Sequence, residues 1–157
     1  MIHFQVAYKS SDLDLGIPRG RFRPALVAQA QSIVERYHRQ LQAYIEAHPA
    51  FASSLVPCAV QPQAPALAKD MAAAAEWAGV RPMAAVAGAV AQYTARDLVG
   101  DRGEIIIENG GDIYLNSSKP RLIGILAGEG SAFNHKLAVK IGADFYSQFM
   151  IESRSLP

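Results

Sequence analysis

At 157 residues, half of them apolar, the chain is long enough to bury a real core in one domain, and its composition excludes a disordered class. Lys and Arg number 15 against 14 for Asp and Glu, with no long block of like charge, so neither a nucleic-acid footprint nor an acidic tail is expected. The lone Cys58 cannot close a disulfide within the chain and no Cys/His cluster has zinc spacing, which points to a reduced, cytoplasmic setting without structural metal.

In chain order, Ile2, Phe4, Val6 and Tyr8 alternate on one face of an opening strand, and the start lacks the basic and long apolar segments of a signal peptide. Asp12, Asp14, Gly16 and Pro18 then read as a polar loop. It leads to Arg19, Arg21 and Arg23, whose alternate spacing suits either a solvated segment or one that meets phosphate. From Pro24 to about His48, Leu26, Ala30, Ile33, Val34, Tyr37, Leu41, Tyr44 and Ile45 recur at helical steps. Pro49 ends this helix, and a wandering connection with Pro57, Pro62 and Pro65 follows, with one short strand expected around Leu55 to Val60.

A second helix is expected over Leu67 to Ala78, closed by Gly79, and a third from Pro82 to Gly100. The stretch Met83 to Val99 carries Gln92, Thr94, Arg96 and Asp97 among small residues, so it reads as a buried helix rather than a membrane span. Glu104 to Glu108, Ile113 to Asn116, Arg121 to Leu126 and Lys136 to Ile141 read as strands. A strand, then helices, then a run of strands predicts an α+β fold with helices packed on a largely antiparallel sheet. The tail from Gly142 is mixed, with Phe145, Tyr146, Phe149, Met150 and Ile151 available for burial.

Glu108-Asn109-Gly110-Gly111-Asp112-Ile113 is the densest chemical signal. Two residues without a Cβ reach positive φ cheaply and leave peptide N–H groups uncovered, while Asn109 and Asp112 add side-chain oxygens at either end. Between Ile105–Ile107 and Ile113–Leu115 the same residues also spell a plain hairpin. Glu108 and Asp112 offer oxygen ligands of the kind a hard cation takes. His3, His38, His48 and His135 have no neighbour in the sequence to orient them as general bases. A Walker loop, a dinucleotide-binding glycine fingerprint and a serine elbow are all missing.

Three segments together, Leu41-Gln42-Ala43-Tyr44-Ile45 with His48-Pro49-Ala50-Phe51, Pro82 through Ala91, and Glu108 through Ile113, resemble uncharacterised bacterial and archaeal proteins related to ApbE, the flavin transferase. The resemblance implies an ApbE-like α+β domain over residues 1–157, corresponding to the N-terminal portion of a family domain that normally continues further. In ApbE relatives a small-residue helix segment and an Asn/Gly/Gly/Asp turn lie by the flavin site, and a backbone carbonyl of that helix helps hold Mg2+. By that likeness Gly88, Ala89, Ala91, Asn109, Gly110, Gly111 and Asp112 are expected to line a pocket for FAD or FMN, with the Ala89 carbonyl as the metal ligand. Gln92 stands where the transferases usually carry lysine, and Arg81 where this family usually has glycine. The implied activity is Mg2+-dependent FMN transfer or cleavage of the FAD pyrophosphate; the alternative is a non-catalytic binding or scaffold protein that keeps the fold. Implied partners are a nucleotide ligand and either a second copy or a separate C-terminal fragment, with no nucleic acid and no membrane.

Overall fold

The computed structural model describes residues 1–101, 103–125, 130–132, 136–142 and 147–151, the last of these by backbone alone. The opening alternation forms β1 (Ile2–Tyr8), which turns through Lys9 and Ser10 into β2 (Ser11–Ile17). The second strand corrects the expected polar loop. Leu13, Leu15 and Ile17 are wholly buried on alternate positions, and Asp12 and Asp14 point the other way, so a half-buried strand was disguised by its acids and Gly16. Lys9 makes the turn at φ 53°, a left-handed conformation uncommon for a residue with a side chain.

A short 3-10 turn at Arg19–Arg21 leads into α1 (Ala25–Ala47), which begins directly after Pro24. Instead of the strand expected around Leu55 to Val60, the connection holds a four-residue helix, α2 (Ala50–Ser53), and then irregular chain, as its prolines favour. Next comes α3 (Ala66–Ala78). Gly79 closes it at φ 67°, and the Val80 N–H reaches back to the Ala75 carbonyl at 3.0 Å, satisfying a carbonyl the helix end would leave bare. The third long helix is preceded by one 3-10 turn, Pro82–Ala85, before α4 (Val86–Val99).

Five strands make the main sheet in the order β1-β2-β3-β4-β7, with β3 (Ile105–Asn109), β4 (Asp112–Ser117) and β7 (Ser147–Ile151), every neighbour antiparallel. The terminal strand β7 lies in the tail that sequence reading left unassigned. A separate antiparallel ribbon joins β5 (Arg121–Ile125) to β6 (Leu137–Ile141). Leu126, His135, Phe145 and Tyr146 lie outside the described residues. The antiparallel sheet and its helices agree with the expected α+β class.

Two cores result. In one, Leu13, Leu15, Ile17, Ile105, Ile107 and Tyr114 from the sheet meet Ala30 and Val34 of α1 and Val90, Ala91 and Ala95 of α4. In the other, Leu41 and Tyr44 from the far end of α1 pack with Phe51, Leu67, Met71 and Ala89. The small side chains of α4 let its backbone lie close on both sides. Each fully buried large aliphatic side chain in these cores is worth roughly 1.5–3 kcal/mol of transfer free energy.

Candidate functional site

The β3–β4 hairpin turns on two residues, Gly110 at φ 62° and Gly111 at φ 98°, a backbone path that explains why glycine occupies both places. Asn109 and Asp112 are the register pair closing the turn, and Asn109 is in turn level with Leu13 of β2. Partners in register share a face of a sheet, so both side chains point with Leu13 toward the helices; they are 2% and 6% exposed.

What they meet there is the beginning of α4. Asn109 Nδ2 donates to the Ala87 carbonyl at 3.0 Å, and Asn109 Oδ1 accepts the Asp12 N–H at 3.3 Å. Asp112 Oδ2 accepts the Gly88 N–H at 3.1 Å. No side chain within the helix's own sequence caps it, so a carboxylate from 24 residues downstream takes that role. A negative charge at this end also complements the helix dipole. Glu108 Oε1 accepts the Gly111 N–H at 2.5 Å, fixing the turn from the other side. An added Cβ at Gly110 would meet nothing within 4 Å, so the outer side of the turn is open.

Of the residues the sequence nominates, Gly88, Asn109, Gly110, Gly111 and Asp112 come together at this junction of turn and helix. Ala89 and Ala91 do not present their side chains to it: the first is buried in the α1–α3 core and the second against the sheet. Gln92, with its amide oxygen turned to Arg96, accepts from that guanidinium at 2.8 and 3.1 Å. Further along α4 the buried Thr94 Oγ1 has no hydrogen-bond partner among the described residues, nor has Asn116 Oδ1 on β4, whose amide nitrogen donates to the Asp101 carbonyl at 2.7 Å. The Ala87 carbonyl is the member sequence reasoning missed, because the turn and the helix start are brought together only by the sheet register.

Two of the histidines acquire hydrogen-bonding partners. His3 Nδ1 lies 2.8 Å from Asp14 Oδ2 across the hairpin. His38 Nε2 lies 2.8 Å from Ser11 Oγ, and burial, with the Lys9 charge nearby, pushes its pKa below the ordinary value of 6.5. Among the described residues no three His, Cys, Asp or Glu side chains gather as a metal site would, and no helix is long and apolar enough to cross a membrane. Recesses of about 300 Å³ lie elsewhere, one between α3 and Pro57–Val60 and one beside Tyr44 and His48.

An antiparallel sheet backed by helices, with a hairpin turn clasping the start of one of them, makes the molecule an α+β protein. The chain belongs to the family described as AbpE bacteria, which it matches over residues 2–147. It is also similar to several UPF0280 proteins. That of Methanococcus aeolicus is 34% identical over 146 residues, covering 92% of this chain and 56% of the relative. Those of Methanocaldococcus jannaschii and Methanopyrus kandleri are 39% and 35% identical, covering 73% and 74% of this chain and 44% and 45% of theirs. The chain therefore spans about half the length of the relatives it matches.

Proposed function

We propose that this is an ApbE-like protein that binds a flavin or related nucleotide against the Gly110–Gly111 turn and the start of α4. The observation that carries the reading is the clasp itself. Asn109 and Asp112 hold a helix N-terminus beside a turn whose outer face is bare backbone, the surface on which a flat ring or a pyrophosphate makes its closest approach. The residues fit such a ligand by their small size, which leaves the outer side of the turn open at Gly110, while the Gly88 and Gly111 N–H groups are held by Asp112 and Glu108. In donor chemistry the Asp112 carboxylate and the Ala89 carbonyl are hard oxygens of the kind Mg2+ takes; Glu108 lies on the opposite face of the sheet, so the remaining donors would come from outside this cluster.

If the protein is catalytic, the reaction is Mg2+-dependent FMN transfer or cleavage of FAD at its pyrophosphate, the metal supplying charge neutralisation at the phosphates. The chain's own part is then positioning: Asp112 and Asn109 fix the α4 start, and Glu108 fixes the turn. On the same reading, a second copy of the chain completes the pocket, in a cytoplasmic setting.

A second reading, a non-catalytic binding or scaffold protein, is favoured by one observation: the side chains of Asn109 and Asp112 are engaged in holding α4. Titration of FAD, FMN and a nicotinamide dinucleotide with and without Mg2+, followed by flavin fluorescence and melting temperature, tests the pocket, because a ligand of the native state raises apparent stability by mass action. Binding of FAD that is lost in Gly111→Leu supports it. Release of AMP from FAD above a metal-free control supports catalysis, binding without release supports the scaffold, and no thermal shift with any flavin sinks the pocket.

A further inference from the structure

A second candidate lies at the opposite end of α4. Between the C-terminal turn of α4, the end of β2 and the segment leading into α1 there is a recess of about 290 Å³, at the lower end of the range that small-molecule pockets occupy. One side of it is charged: Arg21 and Arg23 both line it, and neither guanidinium group has a hydrogen-bond or ion-pair partner among the described residues. The other side is apolar, formed by Ile17, Leu26 and Leu98.

The two arginines are held there by their neighbour. Phe22 stands between them in extended conformation, packs on Phe4 with ring centroids 5.8 Å apart, and belongs to the sheet core. Anchoring Phe22 inward fixes the backbone of the residues on either side of it. The Pro18 carbonyl adds a second anchor by accepting the Arg21 N–H at 2.9 Å. Glu104 also lines the recess, but its carboxylate is already engaged, accepting from Ser118 Oγ at 2.6 Å and facing Arg121 at 3.8 Å. Two unpaired guanidinium groups on one wall and an engaged carboxylate on another give the recess a polarity: an anionic group is favoured at the arginine end and disfavoured at the Glu104 end.

We propose that this recess binds a small amphipathic oxyanion, with its charged end on Arg21 and Arg23 and its apolar body against Leu26 and Leu98. Guanidinium groups suit this because each presents a planar pair of donors that matches the oxygens of a carboxylate or a phosphate ester. The site is separate from the Gly110–Gly111 junction and stands or falls independently of the flavin reading.

The test is titration of the full chain with phenyl phosphate and with benzoate, followed by backbone amide NMR shifts, beside inorganic phosphate and phenol as the two halves of the ligand. Expected is saturable binding of phenyl phosphate or benzoate, with shifts centred on residues 17–26 and 98–99. Affinity should exceed that of either half by about tenfold or more and fall about tenfold or more in Arg21→Ala/Arg23→Ala. Both arginines are exposed, so the double variant should keep the wild-type amide spectrum elsewhere, and Arg39→Ala on the outer face of α1 should bind as wild type. Preference for phenyl phosphate over benzoate, or the reverse, tells a phosphate ester from a carboxylate. Absence of saturation with both probes, equal binding of inorganic phosphate, or unchanged binding in the double variant would overturn the proposal.

Discussion

Asn109 and Asp112 face each other across a two-residue turn, yet their side chains serve a helix rather than each other: one binds the Ala87 carbonyl and the other the Gly88 N–H. A donor and an acceptor from one hairpin thus hold the two ends of a single peptide unit, the Ala87–Gly88 amide, at the start of α4.

Removing the acceptor should be costly. Asp112→Ala leaves the buried Gly88 N–H without this partner and is expected to destabilise the fold by about 1–3 kcal/mol, whereas Asp112→Asn keeps an oxygen in place and should cost less. Urea unfolding of the three proteins checks the order. Equal midpoints for wild type and Asp112→Ala would mean that the clasp contributes nothing to stability.

At Gly110 the space is open and only the backbone conformation objects to a side chain. Gly110→Ala should therefore cost about 1–2 kcal/mol, and Gly110→Asn less, since Asn tolerates left-handed φ. Thermal melts of the two variants give the comparison; an alanine variant as stable as wild type would contradict the observed φ of 62°.

Thr94→Val should be neutral or stabilising by up to about 1 kcal/mol, because it replaces a buried hydroxyl that lacks a partner with a methyl group of nearly the same shape. A loss of more than about 1 kcal/mol in chemical denaturation would show that the hydroxyl is bonded in solution.

His38 predicts a pH dependence. Its folded pKa lies below the ordinary 6.5, so the unfolded chain takes up a proton first as pH falls. Stability is unaffected by this group well above pH 6.5, declines as pH drops through that value, and stops declining below the folded pKa. Between about pH 7.5 and 5.5 the wild type should lose more unfolding free energy than His38→Gln, which still offers Ser11 a hydrogen-bonding group. Parallel slopes would place His38 in a solvent-like environment.

Much of the frame was legible where a single periodicity ruled. The α1 pattern from Leu26 to Ile45, the alternation of β1 and the Gly79 stop all correspond to observed elements. The strand β2 was not legible, because Asp12, Asp14 and Gly16 are turn formers when read locally and become strand residues only once Leu13, Leu15 and Ile17 find a helix layer to bury against. Leu55 to Val60 failed the opposite way: a short apolar run looked like a strand, but it lies beside α3, joins neither sheet and stays irregular. For the site, the turn and the glycines were readable as a hairpin. The clasp on α4 was not, since it depends on register across β2, β3 and β4, a relationship between segments that no local pattern encodes.

The placement of α4 between two cores has a consequence for how this sequence can drift. Ala91 and Ala95 abut the sheet while Ala89 abuts the α1–α3 layer, so a larger residue on either side cannot be absorbed by rotating the helix, which would drive the opposite side into its own neighbour. Substitutions here are therefore confined to residues of near-alanine volume, and any enlargement must be matched by a shrinkage in the facing layer. The helix behaves as a dimensional standard to which the two halves of the interior are both cut.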